Sequence, residues 1–289
     1  MSYSILDLEQ GTPEWLQARF DYITASQVPV ILGLSPYQTP IELFEEKLMR
    51  IQNPPEGEKA WLFQRGYEVE SLDRDWANKE LKRAFNPMVL LSDRLPELMA
   101  SLDGFCLESN EILEVKYVGK QKLREISNGD IPTHHGAQVQ AQLLVSGAGR
   151  CIYFASDGKE SVRQEILPDL SEFESIAQEV KSFAKRIRDG NAPELSERDF
   201  LVVSDPEFEE LRKVKDQITL LDAQFDELKT KLLNKYTENK RVRCNGVSIV
   251  RSLRKGTIQY KNVEALKNVD LEKYRSKPTI INTVKFEKE

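Results

Sequence analysis

The 289-residue sequence has little of what would place it at once. No apolar run approaches the ~18–20 residues of a membrane span. Its opening, MSYSILDLEQG, has neither the basic flank nor the long apolar stretch of a signal peptide, so a cytoplasmic protein is expected. Cysteine is scarce: Cys106, Cys151 and Cys244 are widely spaced and unpatterned, which suggests neither a disulfide framework nor a zinc site, and reduced thiols are expected. There are two histidines, the adjacent His134 and His135. No internal repeat or low-complexity tract is visible. An overall basic excess is missing too, because 41 Lys and Arg face 47 Asp and Glu. The net charge of −6 counts against a nucleic-acid partner, since phosphate binding is driven by lysine and arginine.

The distribution of charge counts the other way. Between Lys231 and Lys261 lie nine basic residues (Lys231, Lys235, Lys240, Arg241, Arg243, Arg251, Arg254, Lys255 and Lys261) and one acidic residue, Glu238. That stretch either faces phosphate or is the solvated surface of an acidic protein. At 40% apolar and 30% charged residues the composition is that of a soluble globular chain. Its length allows one large domain or a domain with an appendage.

Residues 1–200 read as mixed α and β. In TPEWLQARF, Thr12 is a cap, Pro13 a first helical residue and Glu14 a first-turn acid. A second helix start lies at Thr24 or Ser26, with Pro29 limiting its length, and a third follows Pro40. Lys59 to Leu81 has helical spacing, with Leu62, Gly66, Val69, Leu72 and Asp73 or Trp76 on the stripe of a helix expected to be half-buried. MVLLSD and LMASLDGFCLE are strand-like, Asn110 is a turn signal, and EILEVKYV alternates. HHGAQVQAQLLVSG reads as a helix stopped by Gly147, RCIYFASD as a strand, and LSEFESIAQEVKSFAKRIRDG as an amphipathic helix closed by Gly190. The expected class is therefore α/β, a mixed sheet flanked by helices.

Residues 201–289 change character. After Asp205 and Pro206, Phe208, Leu211, Val214, Ile218, Leu221, Phe225, Leu228 and Leu232 step by three or four. This is a long helix with one apolar seam, packed on its own domain or on another chain. Short strands are expected around Asn245-Gly246 and Lys255-Gly256.

One constellation carries chemistry. In a strand, Glu114 and Lys116 share a face and Val115 takes the other. Asp103, followed by a glycine that permits close backbone approach, is brought alongside by the hairpin. Two carboxylates relieved by one lysine repel each other unless a hard divalent cation sits between them, and Mg²⁺ uses one or two carboxylates while keeping waters and phosphate oxygens. That set suits phosphodiester hydrolysis, with Lys116 orienting or deprotonating a water. Ten residues separate Asp103 from Glu114 and one separates Glu114 from Lys116, which matches the D…ExK pattern of the PD-(D/E)XK nucleases. On spacing alone, an exposed strand face with an ion pair accounts for the same residues.

More of the chain agrees. QGTPEWLQARFDYITASQVPVILG, RGYEVE, ASLDG, LEVK and GAQVQAQLLVSG occur in the order of the motifs of the lambda exonuclease family, the YqaJ-type phage recombination nucleases, and the resemblance covers about residues 10–190. It implies a PD-(D/E)XK, restriction-endonuclease-like core with the long helix and small β appendage added. It implies metal ligation by Asp103, Glu114, the Val115 carbonyl and Glu70, with Glu68 a competitor on another face of the helix. Lys116 and Gln138 would act on the water or scissile phosphate, Gln140 and Gln142 being weaker candidates for the latter's place. Arg19 and Ser26 match positions holding a terminal 5′-phosphate, with Ser101, two residues before Asp103, as a helper, although a salt bridge for Arg19 and a plain cap for Ser26 also fit. Trp15 is taken as core. Many relatives carry tyrosine where His134 and His135 stand, and these two are assigned to the lining of the DNA path or of the site's edge. The implied activity is a 5′-to-3′ double-stranded DNA exonuclease leaving 3′ overhangs for recombination. It would use Mg²⁺, or Mn²⁺ in its place, as two ions, on 5′-phosphorylated ends. A ring-shaped homotrimer, a single-strand annealing partner and a phage or prophage origin come with the resemblance. A restriction-type or RecB-like endonuclease, or an inert DNA-binding scaffold, are the rival readings.

Overall fold

A computed structural model of the chain describes residues 3–51, 58–239 and 241–250, with the backbone alone for residues 58–64 and 67. The chain divides into two compact units, Met1–Phe200 and Leu201–Glu289.

The first unit begins with β1 (Tyr3–Leu6) and α1 (Pro13–Asp21), whose cap Thr12 accepts from the Trp15 N–H at 3.3 Å. β2 (Ile23–Thr24) runs into a 3₁₀ turn and the four-residue α2 (Val28–Ile31), kept short by Pro29. Thr24, and not Ser26, takes the cap position of that turn, and its N–H donates to Gln27 Oε1. α3 (Pro40–Met49) starts at a Thr39/Glu42 capping box. α4 (Glu58–Leu81) leads to β3 (Asn86–Ser92), β4 (Leu98–Cys106) and β5 (Glu111–Tyr117). Asn110, at φ 53°, takes the left-handed turn between the last two. Next come α5 (Lys120–Ser127), α6 (Thr133–Ser146), β6 (Arg150–Ser156), β7 (Ser161–Ile166) and α7 (Leu170–Asp189). Gly147 and Gly190 end α6 and α7 in the left-handed conformation.

Seven strands form one sheet, ordered β1-β3-β4-β5-β6-β7, with β2 pairing β4. The β5–β6 and β2–β4 pairs are parallel and the others antiparallel. The mixed α/β architecture expected from the sequence is thus present. Of three apolar clusters among the described residues, the smallest is Ala18, Val89 and Met99 with Trp15 packed against them, and the two larger cover the faces. One gathers Leu102, Phe105 and Ile112 with Val139 and Leu143 of α6 and Phe183 of α7, and the other gathers Leu113, Val115, Phe85 and Phe154 with Val69 and Ala77 of α4. Leu72, expected on the half-buried stripe of α4, is exposed, because Val69 and Ala77 form the contact, while the half-exposed Trp76 packs edge-on against Phe154 at 5.4 Å. β5 lies between these layers and is buried on both faces as far as Val115. The alternation of Ile112, Glu114 and Lys116 with Leu113, Val115 and Tyr117 therefore sorts residues between two interiors, not between core and solvent.

The second unit contains α8 (Pro206–Lys235), opened by Asp205 accepting from the Glu207 N–H, and the hairpin β8 (Arg241–Cys244) and β9 (Val247–Val250). Asn245 and Gly246 both take positive φ at its turn, as a two-residue hairpin loop requires. The turn expected at Lys255-Gly256, and the basic residues Lys240, Arg251, Arg254, Lys255 and Lys261, lie outside the described residues. No helix among the described residues is long and apolar enough to cross a membrane.

Candidate active site

The β4–β5 ladder pairs Cys106 with Glu111, Phe105 with Ile112 and Gly104 with Leu113, and it stops there. Beyond that point Asp103 Oδ2 accepts from the Val115 N–H at 2.8 Å, so a side chain replaces the next ladder bond. The strands part, and the gap holds the charged residues. Gly104 permits the approach: a Cβ there would lie 2.7 Å from Phe85 Cβ.

Glu114 is 1% exposed and fully engaged. Its Oε1 takes Lys116 Nζ at 2.5 Å and Gln138 Nε2 at 2.6 Å, and its Oε2 takes Gln142 Nε2 at 2.6 Å. Gln138 also accepts from Lys116 Nζ at 3.1 Å, closing a triangle of Lys116, Glu114 and Gln138. Glu70 reaches the same region from α4, held by Arg74 Nη1 at 2.8 Å, and the same nitrogen donates to the Asp103 carbonyl at 2.8 Å. Glu68 instead pairs with Arg65 on the exposed side of α4. The structure thus brings together Asp103, Glu114, Lys116, Glu70 and Gln138. It adds Arg74, which sequence reasoning missed, and Gln142, which the sequence had ranked below Gln138. The signal for Gln142 was its spacing of four from Gln138 on one helix face; Gln140, two residues off that face, bonds the Leu167 carbonyl and the Asp169 N–H.

The electrostatics follow from this crowding. Burial, then the charges of Glu114 and Glu70, push the Asp103 carboxyl well above its ordinary range, against the pull of Lys116 and the Val115 N–H. Burial also raises Glu70, with Glu114 adding to it and Arg74 opposing. Burial alone would lower Lys116, but Glu114, Asp103 and Glu70 outweigh it and raise it, so the lysine is an ammonium. Three carboxylates thus share one lysine and one arginine. Among the described residues no three His, Cys, Asp or Glu side chains converge as a ready-made metal cage. What is present is a pair of acidic groups, Asp103 and Glu114, beside the Val115 main chain. That donor set suits a hard ion that keeps most of its waters, and not a tetrahedral zinc site.

His134 and His135 open α6 beside Lys116. Their rings lie 4.4 Å apart, His135 Nδ1 meets the Tyr153 hydroxyl at 2.7 Å, and the exposed Tyr37 ring packs edge-on to His134 at 5.9 Å. Burial, and then Lys116, lower His135 to about 3, so the pocket and the neighbouring lysine keep it neutral.

Arg19 lies on α1, Ser26 in the 3₁₀ turn after β2 and Ser101 on β4. The Arg19 guanidinium lies over the Trp15 ring at 4.8 Å, and Trp15 Nε1 donates to Ser101 Oγ at 2.8 Å. Trp15 is therefore half-buried and not simply core: its indole connects two of the residues expected to hold phosphate. Ser26 is exposed, with its Oγ 2.9 Å from Thr24 Oγ1. Beneath them, Lys47 is 4% exposed and donates to the carbonyls of Arg19 and Tyr22, at the end of α1. Burial, followed by the Arg19 charge, lowers it to about 7.

With this geometry in hand, comparison with known proteins is specific. Residues 14–149 match the family described as the YqaJ-like viral recombinase domain. A protein of Bacillus subtilis (strain 168) described as "Uncharacterized protein YqaJ" is 29% identical over 195 residues, a match covering 65% of this chain. The chain spans 60% of that relative's length. Among solved structures, the alkaline exonuclease LHK-Exo of Laribacter hongkongensis is similar at a TM-score of 0.53 and 21% identity, covering 62% of this chain and 94% of that one. LHK-Exo in complex with dAMP gives a TM-score of 0.55, with the same 21% identity and coverage of 62% and 94%. At this identity the likeness is one of fold.

Proposed function

We propose that the protein, whose residues 14–149 match the YqaJ-like viral recombinase domain, is a divalent-metal-dependent exonuclease. It digests one strand of double-stranded DNA from the 5′ end and leaves a 3′ overhang for an annealing recombinase. The observation that carries this reading is the meeting of Asp103, Glu114, Glu70 and Lys116 where β4 and β5 part. A role in DNA binding alone gives no reason to bury carboxylates against one another, a burial that raises Asp103 and Glu70 with repulsion adding to it.

Asp103, Glu114 and the Val115 carbonyl would hold Mg²⁺, or Mn²⁺ in its place, with Glu70 completing the set for a second ion. The bound metal supplies Lewis acidity at phosphorus and a water of lowered pKa. The chain's own groups do the remainder. Lys116, an ammonium, orients the attacking water and balances charge on the phosphoryl oxygens. Gln138, bonded to both Lys116 and Glu114, fixes that ammonium in place. Gln142 holds the other oxygen of Glu114, so the carboxylate cannot rotate away. Water forms its bond to phosphorus as the P–O3′ bond breaks. The product is a mononucleotide, a class of molecule that LHK-Exo binds as dAMP, and the shortened strand keeps a 5′-phosphate.

Direction of digestion is assigned to the region of α1. Arg19, whose fork can donate two parallel hydrogen bonds, stands with Ser26 and Ser101 as the receiver of the terminal 5′-phosphate. Trp15 joins Arg19 to Ser101 by stacking and a hydrogen bond. The neutral His134 and His135 line the DNA path. A homotrimeric ring would account for DNA binding by an acidic chain, if basic groups line its inner surface. The protein would act in the cytoplasm of a phage-bearing bacterium.

The deciding experiment incubates pure protein with linear duplex, with and without a 5′-phosphate, in Mg²⁺, Mn²⁺ or EDTA, alongside closed circular DNA. Rapid loss of one strand only with metal, faster on phosphorylated ends, is expected. Cutting of the closed circle would replace the exonuclease with an endonuclease. Metal-independent loss, or none, would remove the catalytic reading.

A further inference from the structure

α8 carries a pattern that the nuclease chemistry leaves unused. Leu211, Ile218, Phe225 and Leu232 recur every seven residues, and Val214, Leu221 and Leu228 recur at the same period between them. From Leu211 to Leu232 steps of three and four alternate without a break, Phe208 lying off this repeat. A stripe facing a flat surface drifts with the 3.6-residue turn, whereas a strict seven-residue repeat keeps to one seam and specifies a partner helix wound around it. All seven side chains are between 41% and 64% exposed. The helix has 30 residues and is about 45 Å long, long enough to present every layer to such a partner. Its other face mixes Arg212 and Lys213 with Asp216, Asp226 and Glu227, so it has no basic stripe for phosphate.

We infer that α8 pairs, antiparallel, with α8 of a second copy of this chain. The residues flanking the seam select both the copy and the orientation. On one flank stand Glu210, Gln217, Gln224 and Lys231, and on the other Lys215, Asp222 and Lys229. Setting Leu211 opposite Leu228 of the second copy places Glu210 opposite Lys231, Lys215 opposite Asp222 and Gln217 opposite Gln224, each contact occurring twice by symmetry. Every charged pair in that register is attractive. Sliding the helices by one heptad sets Lys215 against Lys229 and Asp222 against itself. A parallel pair gains only Glu210 with Lys215. The seam agrees with the flanks: the antiparallel register puts small Val214 against large Phe225, filling the layer, while a parallel one stacks Phe225 on Phe225. Opposite charges at the rim fix register and orientation while the apolar seam supplies the attraction. The pairing uses the second unit alone and does not depend on the nuclease reading.

The test uses full-length protein with Cys244, the exposed native thiol, changed to serine; Cys106 and Cys151 are buried. Leu211→Cys and Leu228→Cys are made singly, carry different affinity tags, and are expressed alone or together before mild oxidation. The expected result is a disulfide-linked dimer bearing both tags from co-expression and little dimer from either variant alone. Adding Leu221→Glu to both chains should lower the yield at least tenfold and halve the mass of the native assembly in sedimentation. No mixed dimer, or efficient linkage of Leu211→Cys with itself, overturns the proposal. Strand digestion by the same samples reports separately on whether the first unit has folded.

Discussion

In the first unit Glu114 is 1% exposed, with Asp103, Glu70 and Lys116 crowded about it, whereas in the second Phe225 is 64% exposed in a row of like neighbours. One region buries charge and the other displays hydrocarbon, and each departs from what an isolated chain would choose. The departures differ in kind. Buried carboxylates that raise one another's pKa are relieved by something small and positive that enters the gap. A seven-residue apolar repeat is relieved only by a surface with the same repeat. Polarity out of place thus reveals both that a partner is wanted and what size and chemistry it must have.

The comparison can be broken at several points. The largest effect is expected from Lys116→Ala, which should slow strand digestion by about 10²–10⁴-fold while leaving DNA binding measurable by gel shift; undiminished digestion would take Lys116 out of the reaction. Next, Leu221→Glu should dissociate the second unit's pairing, whereas Leu220→Glu, also exposed but off the seam, should not; sedimentation velocity of the two variants separates a seam from general stickiness.

A smaller effect concerns Lys47, a buried charge outside the carboxylate cluster. Its folded-state pKa is about 7 against an ordinary 10.5, so between those values the unfolded chain binds more protons and stability rises with pH. Lys47→Met should flatten that rise by on the order of 2 kcal/mol, below the full linkage because two carbonyls favour the ammonium. Urea titrations of both proteins at pH 7 and pH 10 measure it, and equal slopes would place Lys47 in a more solvated setting.

The smallest effect is opposite in sign to the loss of function that accompanies it. Asp103→Asn keeps the acceptor for the Val115 N–H and removes a repelled charge, so in EDTA the variant should be more stable than wild type by about 1 kcal/mol. Mg²⁺ should raise the melting temperature of wild type more than that of the variant, because only a ligand that binds the native site stabilises it.

Much of the fold could be read in the sequence because its signals are local. Thr12-Pro13, Thr39-Pro40 and Asp205-Pro206 open helices, Gly147 and Gly190 close them, and Asn110 turns β4 into β5. The short β1 and β2, and β7 at the sheet edge, did not register, since each is defined by pairing with a distant strand. The site was legible where chemistry and spacing coincide, at Asp103, Glu114 and Lys116. It was not legible where a contact crosses the fold. Arg74 reaches the Asp103 carbonyl 29 residues away, Gln142 reaches Glu114 at a separation of 28, and Trp15 reaches Ser101 at 86. Nor could alternation along β5 reveal that helices cover both sides of it.

The bond from the Val115 N–H to Asp103 also constrains how this protein could decay. A lineage released from the need to cut DNA, but not from the need to fold, still has to satisfy that main-chain donor. Asparagine at 103 does so and alanine leaves it orphaned in the interior. Degenerate copies of the gene should therefore pass through asparagine, keeping the shape of the acid after its charge is gone.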